Sequence, residues 1–370
     1  MLFDQLHYRS NRSPPQGHRR SLSVLDAHLD NSVLSASPDY STQSAPIALS
    51  MIFDRPLWAR QKLIDVTERP NPSAETVLFW HIPKSGGTTA KRMYECLGQT
   101  LANRLGADPR FGHDEDEEIV VFQPFQKMPE VKFVNVDTTT KKGILRAAEM
   151  GLVASGKVDM IFSSDVNFAA NKLFDPDHRA RIFALFRNPV DRSVSKFYYL
   201  QTATWERTYR PEWEGMSLLE WAEKYNQDEN FIVKKIVGKY LKDPVDITDL
   251  VTAKEIIRRY FIVGLMDEME ESIRRFNIVL GLDYTGEQGQ MCKEQLFGSN
   301  NEKKVKSDAG AHRRTEKAAN DNKNSNPHPK VVEGSREYNL LAERNALDMI
   351  LYNYVTLLFA EQKNLIDSYA

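Results

Sequence analysis

Cysteine is scarce, net charge is small and long hydrophobic runs are missing from this sequence. Cys96 and Cys292 are the only two cysteines among 370 residues, which excludes a network of disulfides, and their spacing fits no metal-binding motif. Two such cysteines suit a reducing compartment, although one bridge in a lumenal protein stays open. The formal net charge of −2 gives the whole chain no attraction for nucleic acid or an anionic membrane. No apolar run approaches the roughly 18 residues that suggest a membrane span, so the chain as read is predicted to be soluble.

Two segments have the composition of chain that cannot bury a core. Residues 1–70 are rich in Ser, Pro, Asn and Arg and poor in apolar periodicity, which predicts a disordered or targeting extension. Residues 71–370 are predicted to form the folded domain. Within it, residues 299–330 are polar, basic-leaning and aperiodic. A loop of that length inside a domain is usually either functional or disordered.

Short apolar runs alternate with helical segments from Val77 onward. Near-continuous Val, Ile, Leu and Phe are typical of strands that are covered on both faces of a parallel sheet. Helices dominate after the fourth run, and one long helix is predicted over 336–366. The sequence therefore predicts an α/β fold, a P-loop-like doubly wound parallel sheet flanked by helices, with a helical C-terminal part. The predicted strands are 77–82, 131–136, 158–164, 181–186 and 260–265.

The first candidate site is the stretch PKSGGTT, which follows the first predicted strand. Gly86 and Gly87 allow a backbone to approach an anion closely, and the helix that follows offers free N–H groups. Lys84 adds a point charge, and two threonines add hydroxyl donors. A Walker loop places its lysine after the glycines, whereas this lysine precedes them. The alternative interpretation is an ordinary strand-to-helix turn with a solvated lysine.

The second candidate site is RNPVDRSVS, which follows the fourth predicted strand. Arg187 ends the strand, Asn188 can cap the next helix and Pro189 suits its first turn. Ser195 lies two turns into that helix. A guanidinium and a hydroxyl so placed could grip one phosphate together. Alternatively, Arg187 forms a structural ion pair and Ser195 faces solvent.

Together the two motifs resemble the PAPS-dependent sulfotransferases, especially the Golgi carbohydrate, uronyl 2-O-sulfotransferase-like group. HIPKSGGTT resembles their 5'-phosphosulfate loop, and RNPVDRSVS resembles their 3'-phosphate element. The resemblance covers about residues 77–366. It implies the cofactor 3'-phosphoadenosine 5'-phosphosulfate (PAPS), with Lys84 near the bridging oxygen and Arg187 and Ser195 on the 3'-phosphate. The residues implied for the phosphosulfate are Lys84, Ser85, Gly86, Gly87, Thr88 and Thr89.

The catalytic base is where this sequence departs from the uronyl group. That group carries a His-Gly-His-like element at a strand end, and its histidine is the general base. This chain has Ser163, Ser164 and Asp165 there, so Asp165 is the predicted base. An ordinary Asp, with a pKa of about 3.9, needs burial or a second carboxylate to act as one. Asp165 could instead cap the next helix; His81 and His113 are the less favoured bases.

The resemblance implies a sulfotransferase that acts on a hydroxyl of a carbohydrate or another acceptor. Two alternatives stay open: a nucleotide-binding protein of this fold without catalysis, and an ATP-dependent kinase, against which the lysine order argues. The resemblance also implies a Golgi-lumenal protein with a membrane anchor, although no such anchor is visible in the sequence. The acceptor and the oligomeric state do not follow from the sequence.

Overall fold

The computed structural model describes residues 57–206, 208–225, 228–297 and 328–369. Seven strands form one sheet in the order β3-β4-β2-β5-β1-β6-β7. All neighbouring pairs are parallel except β3 and β4, which are antiparallel. The strands are β1 (Thr76–Trp80), β2 (Thr100–Ala102), β3 (Val121–Phe122), β4 (Lys132–Val134), β5 (Met160–Ser163), β6 (Ala180–Phe186) and β7 (Phe261–Leu265).

Helices connect the parallel strands and cover the sheet. Those that lie between strands are α2 (Gly87–Cys96), α3 (Lys141–Glu149), α4 (Val166–Leu173), α5 (Pro189–Leu200), α6 (Leu218–Lys224), α7 (Phe231–Val237) and α8 (Ile247–Tyr260). Helix α1 (Leu57–Lys62) precedes the sheet, and the helices after it are α9 (Met269–Leu280), α10 (Glu287–Phe297), α11 (Arg336–Arg344) and α12 (Ala346–Asp367). The predicted α/β fold with a mostly parallel sheet and a helical C-terminal part is confirmed.

Alternate residues of the central strands enter two separate cores. Leu78 and Trp80 of β1 pack in the core that also contains residues of α4, α8 and α12. Val77 and Phe79 pack in the opposite core, with residues of α2 and α9. Because both faces of the strand are buried, its sequence is continuously apolar, as the strand prediction assumed.

The structure adds elements that the sequence did not predict. Strands β2 and β3 have three and two residues, too few to show a period. Helix α10 has the sequence EQGQMCKEQLF, in which an internal glycine and few apolar residues hide the helical pattern. The predicted closing helix is two helices, α11 and α12, separated by Asn345.

The described fold begins before residue 71. Ala59 and Leu63, within the predicted extension, are fully buried or nearly so, and Ile64 donates its N–H to the carbonyl of Ala180 at 2.9 Å. Residues 1–56 and most of the predicted loop 299–330 lie outside the described residues.

Candidate functional site

The loop between β1 and α2 has a backbone that only particular residues tolerate. Gly86 has φ of +84°, and Lys84 has φ of +67° although it carries a Cβ; a positive φ is costly for a non-glycine residue. Gly87 is needed for another reason, because a Cβ there would collide with the ring of His81. Helix α2 begins at Gly87 without a side-chain cap, which leaves N–H groups at its start available to a ligand.

The side chain of Lys84 lies on an aromatic ring. Its Nζ is 4.1 Å from the centroid of the Tyr199 ring, and the Tyr199 hydroxyl donates to Oε1 of Glu206 at 2.6 Å. Burial, together with the positive charge of Arg187, lowers the pKa of Lys84 to about 8, against the opposing charge of Glu206. Near neutral pH the loop therefore presents a partly desolvated cation.

Arg187 brings the second motif to the first. Strands β1 and β6 are neighbours, and Nη1 of Arg187 donates to the carbonyl of Lys84 at 3.1 Å. Burial also lowers the pKa of the Arg187 guanidinium, against the opposing charges of Asp191 and Asp267. The two cations thus share the carboxyl edge of adjacent parallel strands, which is where open α/β sheets bind ligands.

Two serines near these cations have buried, unused hydroxyls. Ser85 is fully buried and Ser195 is 1% exposed, and neither Oγ has a hydrogen-bond partner among the described residues. A buried polar atom without a partner costs free energy and is one sign of a ligand site. Thr88 and Thr89 lie half-buried in the first turn of α2. All eight residues named for the cofactor therefore belong to two adjoining segments.

Asp165 occupies the cap position of α4 but does not cap it. Its side chain accepts no hydrogen bond from that helix; instead its Oδ2 lies 3.4 Å from Nζ of Lys235. A carboxyl base would need burial or a second carboxylate, whereas the side chain of Asp165 is 21% exposed and its partner is an ammonium. The structure provides neither the capping role nor a carboxylate pair.

His81 and His113, the less favoured candidate bases, both make packing contacts within the fold. Burial lowers the pKa of His81 to about 4, so its ring is neutral at pH 7, and it packs against Gly87 and Phe162. His113 lies 2.8 Å from Asp116 and its ring packs on Phe122.

Sequence reasoning missed Tyr199 and Glu206. Tyr199 follows Ser195 by four residues on α5, and side chains with that spacing share a helix face; the spacing was a usable signal. Nothing in the sequence indicates Glu206, because it belongs to the irregular chain after the helix.

Two cavities lie away from these residues. One of about 550 Å³ lies between α5 and residues 330–337. The other, of about 310 Å³, lies beside residues 72–77 and 178–181, at the amino end of β1 and β6. Neither is lined by Lys84, Ser85, Arg187 or Ser195.

The chain matches no protein-family model and no curated protein sequence. The resemblance therefore depends on the motifs and their placement. Within the described residues, no helix is both long and apolar enough to cross a bilayer, and no three His, Cys, Asp or Glu side chains are grouped as metal ligands.

Proposed function

We propose that this protein is a sulfotransferase that moves a sulfuryl group from PAPS to a hydroxyl, in particular that of a carbohydrate. The observation that carries the proposal is the contact between the two motifs: the guanidinium of Arg187 donates to the carbonyl of Lys84. A ligand with two separated anionic groups needs two such segments side by side, and PAPS is a ligand of that kind.

The residues fit the cofactor in three respects. The positive φ of Gly86 and the absence of a Cβ at Gly87 leave backbone N–H groups open to an anion. The hydroxyls of Ser85 and Ser195 are buried and without partners, so an oxygen-rich ligand would satisfy them. Lys84 and Arg187 supply two positive charges, and within the described residues neither forms an ion pair with a carboxylate.

Each residue has a defined role in this proposal. When bound, PAPS would supply an activated sulfuryl group for transfer to the acceptor oxygen, with 3'-phosphoadenosine 5'-phosphate as the leaving group. Lys84 stabilises the negative charge that develops on the bridging oxygen. Ser85 and the first turn of α2 hold the phosphosulfate, and Arg187 and Ser195 hold the 3'-phosphate. Asp165 takes the proton of the acceptor hydroxyl, which requires it to leave Lys235 when the acceptor binds.

The first test is calorimetric titration of the full chain with 3'-phosphoadenosine 5'-phosphate (PAP), the stable product. We expect saturable binding that is lost in Arg187→Ala. Arg179→Ala is the matched control, because Arg179 pairs with Glu68 near the opposite end of β6. No binding by folded wild-type protein, or equal loss in both variants, contradicts the proposal.

Transfer itself is tested with Lys84→Ala and an acceptor screen. Loss of one preorganised group that stabilises developing charge lowers the rate by about 10²–10³. Unchanged turnover in that variant contradicts the role of Lys84.

The ion pair of Asp165 with Lys235 favours a second candidate, a PAPS-binding protein that does not catalyse transfer. Asp165→Asn separates the two. If the protein is an enzyme, Asp165→Asn loses transfer but still binds PAP. If it is only a binding protein, the wild-type chain already shows no transfer.

A further inference from the structure

We infer that Tyr199 is a positioning residue for Lys84, and that Glu206 fixes Tyr199 in turn. The catalytic meaning of this inference rests on the proposed function, but the contact itself can be tested without it. Neither residue belongs to the two motifs that the sequence analysis identified.

The contact is a cation above an aromatic face. The Nζ of Lys84 lies 4.1 Å from the Tyr199 centroid, well inside the roughly 6 Å over which such attraction acts. Both groups are half-buried, and partial desolvation strengthens the attraction. An otherwise flexible four-carbon side chain is thereby held at one position above the ring.

The ring is fixed at both ends. Its backbone belongs to α5, and its hydroxyl donates to Oε1 of Glu206 at 2.6 Å. Trp205 packs against its edge, with centroids 6.4 Å apart. The ring therefore has little freedom to follow the lysine if the lysine moves, which is what a positioning residue requires.

Helix α5 also carries residues from both parts of the proposed site, the 3'-phosphate part and the part around Lys84. Ser195 and Tyr199 lie one turn apart on one face of this helix. The hydroxyl proposed for the 3'-phosphate and the ring that holds Lys84 are thus parts of one rigid element. A displaced Lys84 should impair transfer more than binding, because binding also uses Arg187, Ser195 and the backbone of the loop.

The test compares Tyr199→Leu, Tyr199→Phe and Glu206→Gln with Tyr198→Leu as the matched control. Tyr198 is the next residue on the same helix, but its ring stacks on His328. The first measurement needs no ligand: lysines are reductively methylated with ¹³C, and Lys84, assigned through Lys84→Arg, is titrated by NMR. Burial lowers the pKa of Lys84 to about 8 in wild type. We expect this pKa to fall in Tyr199→Leu, because the ring no longer attracts the ammonium while leucine keeps the surroundings apolar. It should change little in Tyr199→Phe and stay at the wild-type value in Tyr198→Leu.

The second measurement is steady-state transfer together with PAP titration. From the usual strength of a cation–π contact, kcat should fall about 2- to 30-fold in Tyr199→Leu, with a smaller change in the PAP Kd. Glu206→Gln should give a smaller loss of kcat, because the ring stays while its anchor weakens.

The outcomes separate this inference from the proposed function. A Lys84 titration in Tyr199→Leu that matches wild type overturns the positioning role, whatever the activity. If wild type neither binds PAP nor transfers sulfate, the proposed function fails while the titration still decides the contact. If Tyr199→Leu does not fold, Glu206→Gln decides: a Lys84 titration and kcat both equal to wild type overturn the inference.

Discussion

At the scale of the residue, Lys84 carries most of the chemistry proposed for this protein. Its φ of +67° turns the chain so that its carbonyl meets Arg187, while its ammonium lies over Tyr199. Strained backbone and a displaced pKa in one residue are characteristic of functional sites rather than of ordinary turns. Both properties lead to measurements.

The backbone strain predicts an unusual order of stability for two substitutions. Replacement of Lys84 by glycine removes a left-handed penalty of about 1–2 kcal/mol, which exceeds the roughly 0.5–1 kcal/mol of entropy that glycine costs. Lys84→Gly should therefore have a higher free energy of unfolding than Lys84→Ala, by about 0.5–1 kcal/mol. Urea unfolding measures the difference. At Ser85, whose φ is not positive, alanine should be the more stable; the same order at both positions contradicts the strain.

The pKa of Lys84 predicts how PAP binding depends on pH. Burial lowers this pKa from 10.5 to about 8, so the cation that attracts the anion is lost as pH rises through about 8. Affinity for PAP should fall over that window in wild type. In Lys84→Arg the fall should be absent, because a guanidinium stays charged. Titrations between about pH 7 and 10 check this, and an identical pH profile in both proteins contradicts it.

The free energy of unfolding of the free protein has the opposite dependence. Since the folded-state pKa of Lys84 lies below its unfolded value, the unfolded chain binds more protons between about pH 8 and 10.5. The contribution of Lys84 to stability therefore rises with pH across that window. The unfolding free energy of wild type should therefore rise relative to that of Lys84→Met as pH increases across this window.

At the scale of the element, α7 and α12 cap each other. The carboxylate of Asp348, in α12, accepts the N–H groups of Ile232 and Val233 at 2.9 Å each. The amide oxygen of Asn230, before α7, accepts the N–H groups of Leu347 and Asp348. Each helix start thus supplies the partners that the other lacks, and the chain must leave the helical path at Asn345 for the two starts to meet.

A double-mutant cycle tests this reciprocal capping. Asn230→Gly keeps the left-handed backbone, whose φ is +46°, while it removes the side chain; Asp348→Ala removes the other cap. Each should destabilise by about 1–3 kcal/mol, because buried N–H groups lose their acceptors, and the pair should be non-additive. Burial raises the pKa of Asp348 to about 6, so urea unfolding at about pH 8 keeps the carboxylate ionised. Strict additivity contradicts a shared cap.

The same elements show what the sequence can and cannot predict. Five strands and the β1–α2 loop can be predicted from local patterns, because apolar runs and glycine turns depend on residues that are adjacent in the sequence. The break at Asn345 does not, since its cause is Asn230, 115 positions away along the chain. Lys84 and Arg187 could be placed at one sheet edge by the parallel-strand rule. The ion pair of Asp165 with Lys235 depends on how α7 packs, which no local pattern encodes.

A second long-range contact covers the edge of β7 that faces away from β6. The amide of Gln362, from α12, accepts the N–H of Val263 at 3.0 Å and donates to the carbonyl of Phe261 at 2.7 Å. One buried side chain thus replaces a neighbouring strand at these two positions. Covering an edge in this way prevents pairing with other chains, and the polar residue would have been read as solvent-facing from sequence alone.

At the scale of the whole molecule, the two cysteines that looked isolated are joined. Cys96 ends α2 and Cys292 lies in α10, 196 positions later, and the structure bonds them as a disulfide. The sequence left that bridge open as the alternative to free thiols. Between the two cysteines lie all the parallel strands after β1. The bridge therefore closes a loop that contains most of the sheet.

Such a long loop predicts a large effect of reduction on stability. A disulfide that restricts the unfolded chain contributes about 2–4 kcal/mol, so dithiothreitol should lower the urea midpoint of wild type. The double variant Cys96→Ser/Cys292→Ser should unfold near reduced wild type and should not respond to the reductant. PAP affinity well below the midpoint should stay the same, because Cys96 is nine residues from Gly87, about 13 Å along α2. Equal midpoints with and without reductant contradict the bridge, whereas a large loss of affinity contradicts the separation of bridge and site.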